Sequence, residues 1–240
     1  MTAAKLRELH LPGRPLVLPN VWDADSARLV VAAGFPVVAT SSAAVAESLG
    51  YADGQGAPVA EMFAAAARIT RVVDVPVTVD AESGYGLAAA ELAGRLREIG
   101  AVGCNLEDTE PGRGVRPVEE QAELLGAVRE AAGDGLVINA RVDVFLGAED
   151  EKAVLDDAVE RARKYLAAGA DCVYPIHVRS AEVLRAFVAA VSPAAVNATL
   201  FPGGPQRAEL AELGVARISL GAGLWRAGRV WLAERLADLG

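Results

Sequence analysis

The chain has 240 residues, 52% of them hydrophobic and 23% charged, which excludes a disordered or fibrous protein and is enough for one full core. Its 23 basic and 32 acidic residues leave a formal net charge of −9 with no basic tract. That balance disfavours nucleic acid and anionic membrane surfaces as main partners, while a local basic pocket for an anionic metabolite stays open.

Residues 1–10 carry charges where a secretory signal has its apolar core, and no apolar run approaches the roughly 20 residues of a membrane span, so a cytoplasmic protein is expected. A helical pattern over 2–10 ends at Leu-Pro-Gly, and 16–21 reads as a first short buried strand. Asp23 is placed to cap a helix over 24–33, which Gly34 stops before a second strand at 36–40. Ser41 and Ser42 lead into a long polar-tipped loop ending at Asp53-Gly54, and Pro58 opens a helix over 59–73. The third strand is Val-Thr-Val-Asp-Ala-Glu-Ser-Gly-Tyr-Gly at 77–86, whose buried start turns acidic and then runs into glycine. Helix 87–99 follows, then strand 102–107 ending in Glu107-Asp108, loop 109–117, helix 118–132 and strand 136–141 ending in Arg141. The rhythm continues with helix 150–168, strand 171–176, helix 180–191, strand 194–198, helix 205–213, strand 215–220 and a last amphipathic helix over 224–239. Cys104 and Cys172 each lie inside an apolar run, so two buried free thiols are expected and a disulfide is not.

Eight apolar strands alternating with helices, without hairpin turns or a linker, predict a parallel sheet closed as a (β/α)8 TIM barrel, one domain over 1–240. No Gly-x-Gly-x-x-Gly turn follows the first strand, as a doubly wound dinucleotide fold requires. Active sites of such barrels sit at the C-terminal strand ends, where this chain has Ser41, Asp80, Glu82, Glu107, Arg141 and Asn197.

Asp80 and Glu82 are two apart, so on a strand they face the same side with Cα atoms about 6.5 Å apart. The neighbouring strand adds Glu107. Three carboxylates at one mouth form either a solvated rim paired with Arg141 or a site for a hard divalent cation, Mg²⁺ first and Mn²⁺ second, with open positions for substrate oxygens. No Cys/His cluster points to zinc. Arg141 has the planar fork that suits an anionic substrate, and its plainer role is an ion pair with Asp143 or Glu107. Ser41 and Ser42 offer hydroxyl and backbone N–H groups to a carboxylate, which is also ordinary loop chemistry. His177 stands alone after a buried strand, a position that is more often structural.

Taken together, Pro-Asn-Val-Trp-Asp (19–23), Thr-Ser-Ser (40–42), Leu-Gly-Tyr-Ala-Asp (49–53), Val-Asp-Ala-Glu-Ser-Gly-Tyr-Gly (79–86), Asn-Leu-Glu-Asp (105–108), Ile-Asn-Ala-Arg (138–141) and Gly-Val-Ala-Arg-Ile-Ser-Leu-Gly (214–221) resemble, in order, the motifs of the isocitrate lyase and phosphoenolpyruvate mutase superfamily. The resemblance covers nearly the whole chain. It implies a Mg²⁺-dependent enzyme that binds small 2-oxo acids in a barrel whose last helix is exchanged between subunits, giving a homotetramer as a dimer of helix-swapped dimers. It also implies that Ser41 and Ser42 bind the substrate's carboxylate, that Asp53, Asp80, Glu82 and Glu107 form the metal shell, and that Arg141 faces the substrate. Asp53, Glu107 and Arg141 are the catalytic candidates, and Tyr85 and Asn197 complete the substrate-binding set.

Two departures bear on the reaction. Glu82 stands where the family usually has aspartate. The loop Thr-Glu-Pro-Gly-Arg-Gly (109–114) lacks both the lyases' Lys/Arg-Cys-Gly-His and the mutases' lysine and asparagine; Glu110 and Arg113 are the nearest ionisable groups, with Gly112 and Gly114 suited to a lid. The expected activity is a C–C lyase or decarboxylase acting through an enolate on an oxaloacetate- or 2-oxoglutarate-type acid. Tyr51, Tyr85, His177, Glu110 or a metal-bound water would move the proton. The alternatives are P–C chemistry on phosphonopyruvate with Arg113 or Arg116 for the missing lysine, a non-catalytic 2-oxo acid binding protein, and a bare scaffold with an acidic rim. In the last helix Trp225, Leu232, Leu236 and Leu239 share a face, with Leu224 and Trp231 at its edge, and this face is expected against the chain's own barrel or a partner subunit's.

Overall fold

Continuous apolar runs become strands here because a parallel barrel covers them on both faces, by helices outside and by side chains inside. In the computed structural model, which describes residues 2–239, α1 (Ala3–Glu8) precedes a first strand split by Pro19, a residue with no N–H for a ladder, into β1 (Leu16–Leu18) and β2 (Asn20–Val21). α2 (Ala24–Ala32), β3 (Val38–Thr40), α3 (Ser42–Ser48), α4 (Val59–Thr70), β4 (Val77–Asp80), α5 (Ala89–Glu98) and β5 (Gly103–Glu107) follow. A small hairpin, β6 (Thr109–Glu110) and β7 (Gly114–Val115), leads into α6 (Val118–Ala132) and β8 (Val137–Val142). The chain continues through α7 (Leu155–Ala167), β9 (Cys172–Pro175), α8 (Ala181–Val191), β10 (Ala195–Thr199), α9 (Arg207–Glu212), β11 (Arg217–Ser219) and α10 (Gly223–Ala237).

The nine-stranded sheet runs β1-β11-β10-β9-β8-β5-β4-β3-β2, parallel throughout, and since β1 and β2 are halves of one strand it makes the eight staves of a (β/α)8 barrel. Alternate residues fill the bore in tiers. At the bottom Leu6 of α1 plugs it against Leu16, Leu18, Val37 and Val137. Above lie Asn105, Asn139 and Arg217, and at the top Asp80, Glu107 and Arg141. Cys104 and Cys172 are buried and free, as expected. Among the described residues no helix is long and apolar enough to cross a membrane.

Three segments differ from the sequence reading. The stretch after Ser41 is a helix before it is a loop: the Ser41 hydroxyl caps α3 by accepting from Ala44 N at 3.4 Å, and the alanine-rich run after it favours helix. The 109–117 loop pairs its ends as the hairpin, with Gly112 and Gly114 in the left-handed region at φ 77° and 81°. Residues 151–154 form turns, so α7 begins at Leu155 and not at Asp150.

The chain's own barrel takes only the start of α10. Trp225 Nε1 donates to Glu47 Oε2 at 3.0 Å and its ring lies 5.1 Å from that of Trp22, whereas Trp231 and Leu236 stay 62% and 59% exposed.

Gly103 reports on the packing of the bore. A Cβ there would lie 2.8 Å from Leu6 Cδ2 and 3.0 Å from Thr78 Oγ1. Gly103→Ala should therefore destabilise the fold by about 1–3 kcal/mol in urea denaturation, and an unchanged midpoint would mean that the plug yields.

Candidate active site

The mouth is built from strand ends whose acids are each gripped by a neighbour. Asp80 ends β4, and its backbone N–H donates to Thr40 Oγ1 at 2.8 Å. Its Oδ2 accepts from both the N–H and the hydroxyl of Ser42, at 3.0 and 2.8 Å. Ser42 therefore orients Asp80, and Ser41 is spent on the helix cap. Asp80 Oδ1 is buried and has no partner.

Glu82 lies past the strand in the left-handed region, φ 48°, and turns toward the 49–57 loop, where Gln55 N donates to its Oε2 at 2.5 Å. The Gln55 side chain also reaches Ser83 Oγ. Asp53 is exposed on that same loop, close enough for its charge to act on Glu82. The Tyr85 hydroxyl faces Glu82, and its ring meets Phe63 edge-on at 6.0 Å.

Glu107 ends β5, and its ladder partner on β8 is Arg141. Arg141 Nη2 contacts Glu107 Oε2, while Nε and Nη2 clamp Asp143 at 2.6 and 2.8 Å. Both ion pairs foreseen as the plain role of Arg141 are thus present. Asp143 is fixed in turn, its N–H donating to Asp108 Oδ1 at 2.9 Å. The other oxygen of Asp108 accepts from Tyr165 at 2.7 Å and Arg161 at 3.2 Å. Sequence reasoning did not reach Tyr165, Arg161 or this function of Asp108, which depend on contacts across the barrel wall.

The remaining candidates are distributed less centrally. Asn197 is fully buried in the bore, donating to Ser219 Oγ at 3.1 Å. Tyr51 donates to Glu61 at 2.9 Å on the surface, and Glu110 is paired with Arg113 at 2.6 Å. Arg113 also meets Glu120 at 3.0 Å, and Arg116 is buried against Gln121 at 2.8 Å and Ser83 O at 3.1 Å. His177 is half-buried with φ 64°, edge-on to Phe201, and burial with the charge of Arg141 holds its pKa below the ordinary value.

Electrostatically the mouth is over-supplied with acid. Burial, then Asp80, pushes Glu82 up to about 7. Burial pushes Glu107 up to about 9 even though Arg141 opposes it, because Asp143 already claims that guanidinium. Burial works against the charge of Arg141 itself, but the hydrogen bonds and field of Asp143, then Glu107 and Asp80, more than offset it and hold the group ionised. An excess of hard oxygen donors with one carboxylate oxygen unpartnered fits a hard divalent cation. Among the described residues no three metal-ligating side chains converge on one point; Arg141 draws Glu107 aside and Gln55 draws Glu82, which leaves Asp80 as the open donor.

The sequence matches the family model described as phosphoenolpyruvate phosphomutase over residues 6–239. The chain belongs to that family. An uncharacterized protein of Mycobacterium tuberculosis (strain H37Rv) is 33% identical over 221 residues, covering 92% of this chain and 83% of its own. The 2-methylisocitrate lyase of Escherichia coli K12 is 31% identical over 221 residues, covering 82% of this chain and 73% of its own. A crystal structure of a Burkholderia cenocepacia J2315 protein, provisionally assigned as a phosphonomutase, superposes with a TM-score of 0.93 at 44% identity, covering 98% of this chain and 99% of that one. Family membership accounts for the motif order along the strands.

The displaced pKa values fix a pH dependence. Glu107 binds its proton more tightly folded than unfolded, about 9 against an ordinary 4.5, so its contribution to stability is complete below the lower value and lost as pH rises through the higher. Metal-free protein should lose melting temperature between about pH 4.5 and about pH 9, and Glu107→Gln should flatten the loss. A wild-type melting temperature constant across that window would contradict the assignment.

Proposed function

We propose that the protein is a Mg²⁺-dependent enzyme that binds a small 2-oxo carboxylate and cleaves or forms a carbon–carbon bond next to its keto group, through an enolate. One observation carries this reading: a buried excess of carboxylates at the mouth, with Asp80 Oδ1 unpartnered and Arg141 on the same rim. Asp80, Glu82 and Glu107, with Asp53 from its loop, are the residues that would hold the cation. When bound there, the cation supplies a Lewis acid for the substrate's keto and carboxylate oxygens.

The chain's own groups do the rest. Ser42 fixes the rotation of Asp80. Asp143 holds the Arg141 fork in one plane, so that its charge offsets the negative charge of an enolate without having to reorient. Among the candidate proton carriers, Tyr51 and Glu110 are engaged elsewhere. Tyr85 is held protonated by burial beside Glu82, which suits a hydroxyl that donates. A relative named as a lyase supports carbon–carbon chemistry.

Phosphorus–carbon chemistry is the second reading, supported by the structural neighbour provisionally assigned as a phosphonomutase. It needs Arg113 or Arg116 at the substrate. Arg113 is taken up by Glu110 and Glu120, and Arg116 by Gln121 and the Ser83 carbonyl, which ranks it second.

The exposed apolar residues of α10 support an oligomer in which this helix packs on a partner subunit. Light scattering should find an assembly, and Trp231→Glu should shift it toward monomer.

For the site, calorimetry with oxaloacetate, 2-oxoglutarate, pyruvate and phosphonopyruvate, with and without Mg²⁺, should show metal-dependent binding that Asp80→Ala abolishes. Unchanged binding in that variant rejects the metal site. Pyruvate release from oxaloacetate separates an enzyme from a binder, and no turnover on any of the four acids favours a 2-oxo acid binding protein.

A further inference from the structure

Arg217 lies on β11 with its side chain in the bore, fully buried. A guanidinium withdrawn from water is costly unless an opposite charge accompanies it. Its contacts here are neutral: Nη2 donates to Asn105 Oδ1 at 3.0 Å and Nε to Ser219 Oγ at 3.4 Å. Nη1 is buried with no partner at all. Among the described residues no carboxylate forms an ion pair with it within 4.0 Å.

The position of this bare cation gives it a target. Asn105 is the ladder partner of Asp80 and lies two residues before Glu107 on β5. Asn139, which donates to the same Asn105 oxygen at 2.8 Å, lies two residues before Arg141 on β8. Arg217 therefore stands one tier beneath the acids of the mouth, with Asp80 Oδ1 as unpartnered as its own Nη1. Its field is felt in the opposite direction too: His10, below the barrel, is pushed down to about 4 by burial first and the charge of Arg217 second.

We propose that Arg217 is a positioning residue that sets ligand preference at the mouth, its fixed charge favouring a small carboxylate anion and disfavouring a bare divalent cation, so that cation and anion are held together in preference to the cation alone. The proposal rests on the reading of the mouth as a cation and 2-oxo acid site. A strut would need only the neutral contacts, which a neutral side chain of similar length can supply; a charge left uncompensated in the bore acts on whatever binds above it.

The test uses the full chain and two calorimetric titrations, Mg²⁺ alone and oxalate in saturating Mg²⁺. Arg217→Met should bind Mg²⁺ about tenfold more tightly and oxalate about tenfold more weakly, the scale of one unit charge at an effective dielectric constant of about 20. Arg217→Lys should restore both toward wild type. Should Arg217→Met fail to fold, Arg217→Gln, which keeps a donor toward Asn105, must show the same opposed shifts. Affinities that stay put, or that move in the same direction, in a folded neutral variant reduce Arg217 to a strut and overturn the proposal. Wild-type protein that takes up neither Mg²⁺ nor oxalate instead rejects the reading of the mouth, and the proposal falls with it.

Discussion

One guanidinium answers to two buried carboxylates. Arg141 contacts Glu107 and is clamped by Asp143, so its single positive charge offsets one carboxylate, and the rim gains a net negative charge of its own when Glu107 gives up the proton it holds to about pH 9 or when Asp80 and Glu82 are added. The surrounding structure holds that charge in place. Ser42 grips Asp80, Gln55 grips Glu82, and Asp108 fixes the backbone of Asp143 while being fixed by Tyr165 and Arg161. Burying charge at this density costs stability unless each group has a partner, and each acid of the mouth has at least one. Asp80 Oδ1 is a fully buried carboxylate oxygen left without one.

Much of the barrel was legible because its signals are local. Apolar runs between glycine stops mark the staves, and the helix over 118–132 falls where its pattern places it. Acids at the ends of apolar strands stand out for the same reason, and Asp80, Glu107 and Arg141 do occupy one rim. The α3 helix was hidden by serines that read as loop until the Ser41 cap is seen. Tyr165 and Arg161 meet Asp108 across 57 and 53 residues, and no spacing along a strand or helix reveals such a contact. The tier below the rim did leave a trace: Asn105 with Glu107, Asn139 with Arg141 and Arg217 with Ser219 recur at the period of two that puts both members in the bore. Asn197 belongs with that tier, because it sits mid-strand on β10 and not at its tip.

The hairpin after Asp108 is tied at its base more firmly than a free lid. Arg116 N donates to Asp108 O at 2.7 Å, its side chain reaches the Ser83 carbonyl, and Gln121 donates to the Glu107 carbonyl at 3.1 Å. The tip, with Arg113 between Glu110 and Glu120, is held by exposed ion pairs, which are individually weak. The base is bonded to the strand that carries Glu107, whereas the glycine-bearing tip is held by these surface pairs.

Trp225, the one tryptophan of the last helix that meets its own barrel, is hydrogen-bonded to Glu47, near the C-terminal end of the seven-residue α3. The first residue of α3 is Ser42, which sets the rotation of Asp80. One seven-residue helix thus carries the contact to the last helix at one end and the two hydrogen-bond donors of Asp80 at the other, although Trp225 lies 145 positions after Asp80 in the sequence.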